Sequence, residues 1–237
     1  MLQACAPMLP PEVGANRLKL VLNGMDMDSF LSQDSGTSDA LRATWGAKDG
    51  MVVVGTASAL QPHKNLLDFV RMIGKLRDKG FAVRGVIAGG GRHTDLAYEQ
   101  QLQSLIRQEN LAETCLILGN FDPITDFMNA IDIFVSTSER EPFGMSTCEA
   151  MTCKKPSVVY DAGGIVEVVH DPWCVVALGD LETLTEKVAI LLQNRELRTA
   201  MGQRAERYVR EHFDAPRLAY RQAKIYEEIL GQEIFRC

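Results

Sequence analysis

Glu141 and Glu149 stand eight positions apart in SEREPFGMSTCEAM (138–151), and the residues between them are mostly small, apolar or hydroxylic. Two carboxylates so placed could be a catalytic acid pair, metal ligands or a clamp on a sugar nucleotide. They could equally be a solvated loop acid and an exposed helical acid. Pro142, Phe143 and Gly144 do not continue a strand comfortably, whereas MSTCEAM is compatible with a helix. Glu141 is therefore expected in a loop, with Glu149 in a helix about one turn beyond its start. The first-turn N–H groups at 144–147 would lack intrahelical acceptors and form a ready anion site. Gly144 would let a ligand approach the main chain. A carboxylate only accepts hydrogen bonds, so it suits the vicinal hydroxyls of a ribose or hexose. The pattern thus offers donors for phosphate between acceptors for sugar hydroxyls. Spacing alone leaves the solvated-acid reading open.

Such a loop needs a frame, and short apolar runs alternating with amphipathic ones supply it. LKLVL (18–22), MVVVGT (51–56), AVRGVIA (82–88), CLILG (115–119), IDIFVS (131–136), PSVVY (156–160) and CVVAL (174–178) read as buried strands. In NLLDFVRMIGKLRDKG, Leu66, Phe69, Val70, Ile73 and Leu76 share one helical face, and Gly80 supplies a stop. LAYEQQLQSLIRQENL repeats the pattern with Leu102, Leu105 and Ile106. Strand–helix alternation predicts βαβ units: one doubly wound α/β domain with a parallel, Rossmann-like sheet. From about Asp180 the chain reads as a helical tail, with Pro216 opening the last helix. Residues 1–17, with Pro7, Pro10 and Pro11, read as a lead-in, and DSFLSQDSGTSDA (28–40) as a polar loop.

Ligands of such sheets bind beyond the carboxyl ends of the strands. That edge would gather TASALQPHKN with Lys64, Gly89–Gly90–Gly91, and the loop carrying Glu141. Lys64 is either a phosphate contact or a solvated lysine. A cation beside the positive end of a helix is easier to explain with an anion between them. The three glycines fit either close ligand approach or a flexible turn, being neither GxGxxG nor a Walker A loop.

Composition narrows the classes. The chain has 237 residues and a net charge of −6, which argues against a sequence-wide nucleic-acid surface. Six cysteines (5, 115, 148, 153, 174, 237) form no CxxC pair and read as free thiols of a reducing compartment. Four scattered histidines lack zinc-ligand spacing. No apolar run nears the ~20 residues of a membrane span, and the first residues lack a targeting pattern.

The residues also carry a resemblance. EREPFGMSTCEAMTCKKPSVVYDAGGIVEVV (139–169) resembles the E-x7-E region of GT-B glycosyltransferases of the large retaining family 4, with Phe143, Gly144, Ala150, Met151, Pro156, Gly163, Gly164 and Glu167 in place. VLNGMDMDSF (21–30) resembles the segment that opens the second domain of that family, ASALQPHKN its lysine loop, and LILGNFDPITDFMNAIDIFVSTS its following run. The resemblance covers roughly residues 18–231. It implies a donor-binding domain, residues 18–237, of a metal-independent hexosyltransferase that uses a UDP- or GDP-linked sugar and no further cofactor. Lys64 would neutralise the diphosphate, and Glu141 would hold the transferred sugar as the catalytic residue. Phe143, Gly144, Met145, Ser146 and Thr147 would cradle diphosphate and sugar. Glu149 would bind the ribose, and Gly119, Asn120 and Phe121 would lie near the base. The implied partners are the donor, an N-terminal acceptor domain absent from this sequence, and a glycan or membrane-associated lipid-linked acceptor. A cytoplasmic place, peripheral at the membrane face in the full-length protein, and a role in polysaccharide or lipopolysaccharide assembly are family-level expectations.

Departures accompany the match. Ala59 stands where the family has an arginine, Gln61 is neutral, Lys154 replaces a glycine, and HDPWCVV is shorter than its family counterpart. The chain alone would be inactive without its partner domain. A stand-alone, non-catalytic sugar-nucleotide binding module is the alternative, and an epimerase of GT-B shape a third reading. A retaining glycosidase would need carboxyls roughly 5–5.5 Å apart. Asp26-x-Asp28 imitates the metal-binding DxD of another glycosyltransferase fold but sits in the domain-opening segment.

Overall fold

A computed structural model describes residues 19, 21–91 and 94–231. The lead-in at 1–17, His93, Cys5 and Cys237 lie outside them. The order along the chain is α1 (Met27–Leu31), α2 (Ser38–Thr44), β1 (Val52–Ala57), α3 (Leu66–Asp78), β2 (Val83–Ala88), α4 (Leu96–Gln108), β3 (Cys115–Gly119), α5 (Ile124–Ala130) and β4 (Ile133–Ser136). It continues with α6 (Met145–Thr152), β5 (Ser157–Tyr160), α7 (Ile165–Val169), β6 (Val175–Val176), α8 (Leu181–Gln193), α9 (Arg195–Phe213) and α10 (Ala215–Leu230). Short 3-10 turns span Pro62–Lys64 and Pro172–Cys174.

A parallel pair needs a long crossover, which the intervening helices supply, and all five pairings are parallel. The sheet order is β3-β2-β1-β4-β5-β6, so the winding direction reverses between β1 and β4. Helices cover both faces, and every residue of β1 and β2 is buried. The expected doubly wound α/β class is therefore what the chain adopts.

The helices follow their sequence signals. Leu66, Phe69, Val70, Ile73 and Leu76 of α3 are all buried, and Gly80 follows with φ 84°. Asp95, Asp180 and Asn194 cap α4, α8 and α9 by accepting first-turn N–H bonds. Two glycines allow contacts that no other residue would. A Cβ on Gly89 would lie 2.1 Å from the Ser58 carbonyl oxygen, and one on Gly202 of α9 would lie 1.9 Å from that of Lys154. A cluster of Trp45, Phe121 and Phe127, with centroids 5.7–6.2 Å apart, packs beneath the loop after β3.

Three expectations need correction. The described positions of LKLVL (19, 21 and 22) are not strand; the nearest pairing is an isolated bridge between Met25 and Asp214. Val21 and Leu22 lie beside α10, near Leu218 and Ile225, rather than in the sheet. The polar stretch at 28–40 is not one loop, since α1 and α2 both run into it. Asp26 caps α1 through the Ser29 N–H at 3.0 Å. Asp126 of α5 accepts from the Ser35 hydroxyl (2.5 Å), the Ser35 N–H (2.8 Å) and the Thr37 hydroxyl (3.1 Å), and these bonds, that of the Ser35 hydroxyl first, hold its carboxyl below the ordinary range. CVVAL contributes only two strand residues, because Pro172–Cys174 takes a 3-10 turn that Asp171 caps.

Candidate functional site

Parallel strands send all their outgoing loops to one edge, and the order reversal separates the loops after β1 and β4 into a crevice. A recess of about 250 Å³ fills that crevice, lined by Ser58, Ala59, Lys64, Thr137, Ser138, Glu141, Gly144, Ser146 and Thr147 among others. A second of about 300 Å³ adjoins it, sharing Ala57, Ser58, Ala59 and Ser146 and adding Gly89, Gly90, Asn120, Phe121, Ile124 and Glu149. Together they fall within the ~300–1,000 Å³ usual for small-molecule sites.

The start of α6 separates the two. Gly144 is its N-cap at φ 94°, a left-handed conformation that a side chain would strain, and no side chain caps the helix. The N–H groups of Met145, Ser146 and Thr147 therefore keep the free donor character of a first turn. A Cβ at Gly144 would also lie 3.0 Å from Ile165. Phe143 is buried with its ring edge-on to Phe213 (centroids 5.4 Å apart), so it anchors the loop, and its side chain lines neither recess. Met145 is exposed.

The two glutamates fall on opposite sides of this helix start. Glu141 lies in the loop and donates its backbone N–H to Ala162 O at 2.8 Å. Its carboxylate is bound to Lys64 Nζ at 2.6 Å, with both side chains mostly buried. Glu149 lies within α6 on the second recess, and its carboxylate makes no hydrogen bond or ion pair among the described residues. Burial raises its pKa above the ordinary carboxylate value. Gly119, at φ 74°, turns the chain after β3 and accepts from the Gly89 N–H at 2.8 Å. Asn120 and Phe121 then reach the recess that holds Glu149. Every expected site residue except Phe143 and Gly119 thus lines the crevice or, for Met145, supplies main chain at its helix start.

Ala59 lies on both recesses, and among the described residues Lys64 is the one cationic side chain lining either of them. Lys154, in place of a glycine, takes φ 59° just past α6, the left-handed position glycine favours there. Asp28 is mostly exposed and pairs with Arg210 at 3.1 Å, while Asp26 caps α1. No three His, Cys, Asp or Glu side chains among the described residues group as metal ligands would. Cys115, Cys148, Cys153 and Cys174 are free and buried, their thiols raised to about 12 by desolvation. A larger, mostly apolar recess of about 480 Å³ lies at the amino edge, against Pro156, Cys174, Met201 and Tyr208, and holds none of the expected residues.

Sequence reasoning missed the supports of the lysine loop. Thr137 donates its hydroxyl to Lys64 O at 3.2 Å, and the Glu139 N–H donates to His63 O at 2.8 Å. Asp68 of α3, buried, accepts from the side chains of Asn65 and Tyr160. A charged residue inside the buried stripe of α3 was the available signal.

A parallel sheet that reverses beside an uncapped helix start defines a doubly wound α/β domain with its crevice at the switch point. The model of the family "Glycosyl transferases group 1" matches residues 37–208, and the chain belongs to that family. A lipopolysaccharide core biosynthesis mannosyltransferase, LpcC of Rhizobium leguminosarum bv. viciae, is 27% identical over 90% of this chain and 60% of its own length. The N-acetyl-alpha-D-glucosaminyl L-malate synthase of Bacillus anthracis is 24% identical over 91% of this chain and 55% of its own. Among solved structures, Anabaena Alr3699/HepE in complex with UDP and glucose superposes with a TM-score of 0.81 at 24% identity, covering 91% of this chain and 58% of that one. A glycosyltransferase from Rickettsia africae gives 0.84 at 20% identity, covering 97% and 62%. At those identities the structures establish the fold. The chain spans 55–60% of the length of these two curated relatives. No described helix is long and apolar enough to cross a membrane.

Proposed function

We propose that this chain binds the donor of a glycosyltransferase, a nucleoside-diphosphate sugar, in the crevice between β1 and β4. The observation that carries this reading is the division around the start of α6: free N–H groups, a lysine on one side and, on the other, a carboxylate without a partner among the described residues. The diphosphate lies on the N–H groups of Met145, Ser146 and Thr147 and against Lys64. Glu149 accepts from the ribose hydroxyls, the base sits by Asn120 and Phe121, and the sugar reaches Glu141. Residues 18–237 act as the donor-binding domain. A second domain supplies the acceptor, a glycan or lipid-linked sugar at the cytoplasmic membrane face, and without it the chain transfers nothing. Transfer proceeds with retention and without a metal, as the resemblance implies.

Titration calorimetry with UDP, GDP and their sugars tests the reading, UDP first because the Anabaena neighbour is complexed with it. Binding is expected, unaffected by EDTA and weakened by Glu149→Ala. Failure of every donor nucleotide to bind would remove the donor assignment, and loss of binding on adding EDTA would remove metal independence. A stand-alone binding module is the second reading. Appearance of transfer on adding a separately made acceptor domain would decide against it.

A further inference from the structure

The approach of Lys64 to the crevice depends on an unusual joint. Asn65 follows it at φ 45° and ψ 44°, left-handed for a residue that is not glycine, between the 3-10 turn and α3. Asparagine tolerates this conformation better than other side chains when its amide is bonded locally. That bond is side-chain to side-chain: Asn65 Nδ2 donates to Asp68 Oδ2 at 2.9 Å. Tyr160, at the end of β5, donates its hydroxyl to the same oxygen at 3.2 Å. Arg71 donates to the other, Oδ1, at 3.0 Å. Burial and the Asp68 charge push the Tyr160 phenol up, so it stays a donor.

An acid in a helix's first turn is ordinarily a solvated partner of the helix dipole. Asp68 is instead only 9% exposed and ties the lysine loop to a strand on the far side of the crevice. It lines neither recess, so it can affect a ligand only through what it holds. We propose that Asp68 is a positioning residue for donor binding, fixing Asn65 in its left-handed turn and thereby holding Lys64 Nζ in the diphosphate end of the crevice. The proposal rests on the donor reading above.

A double-mutant cycle in the 237-residue chain tests it. UDP and uridine are titrated into the wild type, Asp68→Ala, Lys64→Ala and the double variant. Asp68→Ala weakens UDP about as much as Lys64→Ala, roughly tenfold for a lost charge-assisted contact. It leaves uridine unchanged, and it costs nothing further once Lys64 is gone. Asp68→Asn, which keeps an acceptor for Asn65 or Tyr160, gives a smaller loss and carries the test if Asp68→Ala does not fold. Additive losses, or an equal loss for uridine, would reduce Asp68 to a structural residue and overturn the proposal. An unchanged UDP affinity in Lys64→Ala would instead overturn the diphosphate reading of Lys64, and this proposal with it.

Discussion

Glu141 and Glu149 are the same residue type, eight positions apart, and the fold treats them oppositely. Glu141 sits in a loop and is neutralised by Lys64 at 2.6 Å. Glu149 sits in a helix with no partner among the described residues, and burial raises its pKa. The first end of the crevice is satisfied before any ligand arrives; the second is not. An unmet, partly desolvated carboxylate is destabilising until hydroxyl donors reach it. Ligand hydroxyls therefore gain most at Glu149. At the Lys64 end a ligand phosphate must compete with a carboxylate already in place.

Removing each side chain should expose this asymmetry. The largest effect belongs to Glu149→Ala, which removes hydrogen bonds to a charged acceptor worth about 1.5–3 kcal/mol. UDP affinity by calorimetry should fall by about 10- to 150-fold, and an unchanged affinity would break the comparison. Glu141→Gln should act in the other direction on UDP. Freeing Lys64 from its ion pair tightens UDP by several-fold, about 1 kcal/mol, while any extra affinity of UDP-sugar over UDP shrinks. Weaker UDP binding in that variant would mean that Glu141 supports the diphosphate rather than competing with it. Ala59→Arg sharpens the contrast further. A second cation on both recesses should tighten UDP by several-fold, an effect that added salt diminishes.

The smallest effect is on stability. The Glu149 pKa is raised in the folded chain, so its charged form penalises folding at pH values above the ordinary carboxylate range. Below that range both states are protonated and the penalty vanishes. Glu149→Gln should therefore raise Tm at neutral pH, with the gain disappearing as pH falls through the carboxylate range. Differential scanning calorimetry against pH measures this, and a gain largest in acid would contradict it.

The sheet was legible because its strands are short apolar runs with helical patterns between them, which parallel topology requires. The same signal misled at LKLVL, whose described residues Val21 and Leu22 adjoin the last helix instead of entering the sheet. Local propensity gave a loop at 28–40, but Asp126, some ninety residues away, ties down the segment between α1 and α2. The loop place of Glu141 and the helical place of Glu149 followed from Pro142 and Gly144. Their partners did not follow. The Lys64–Glu141 pair spans 77 residues, and the Asp68–Tyr160 bond spans 92. Contacts at such separations arise from strand order, and no local pattern encodes them. On α10, Tyr220, Tyr226, Ile229 and Leu230 lie open, which an amphipathic pattern alone does not foretell.

The central claim is that the two glutamates serve different parts of one ligand, and a ligand that keeps the ribose but lacks the diphosphate and the transferred sugar tests it most directly. Uridine, followed by NMR shift titration, should bind Glu141→Gln as it binds the wild type and should bind Glu149→Ala markedly more weakly. Equal loss in both variants, or loss in Glu141→Gln alone, would contradict the division.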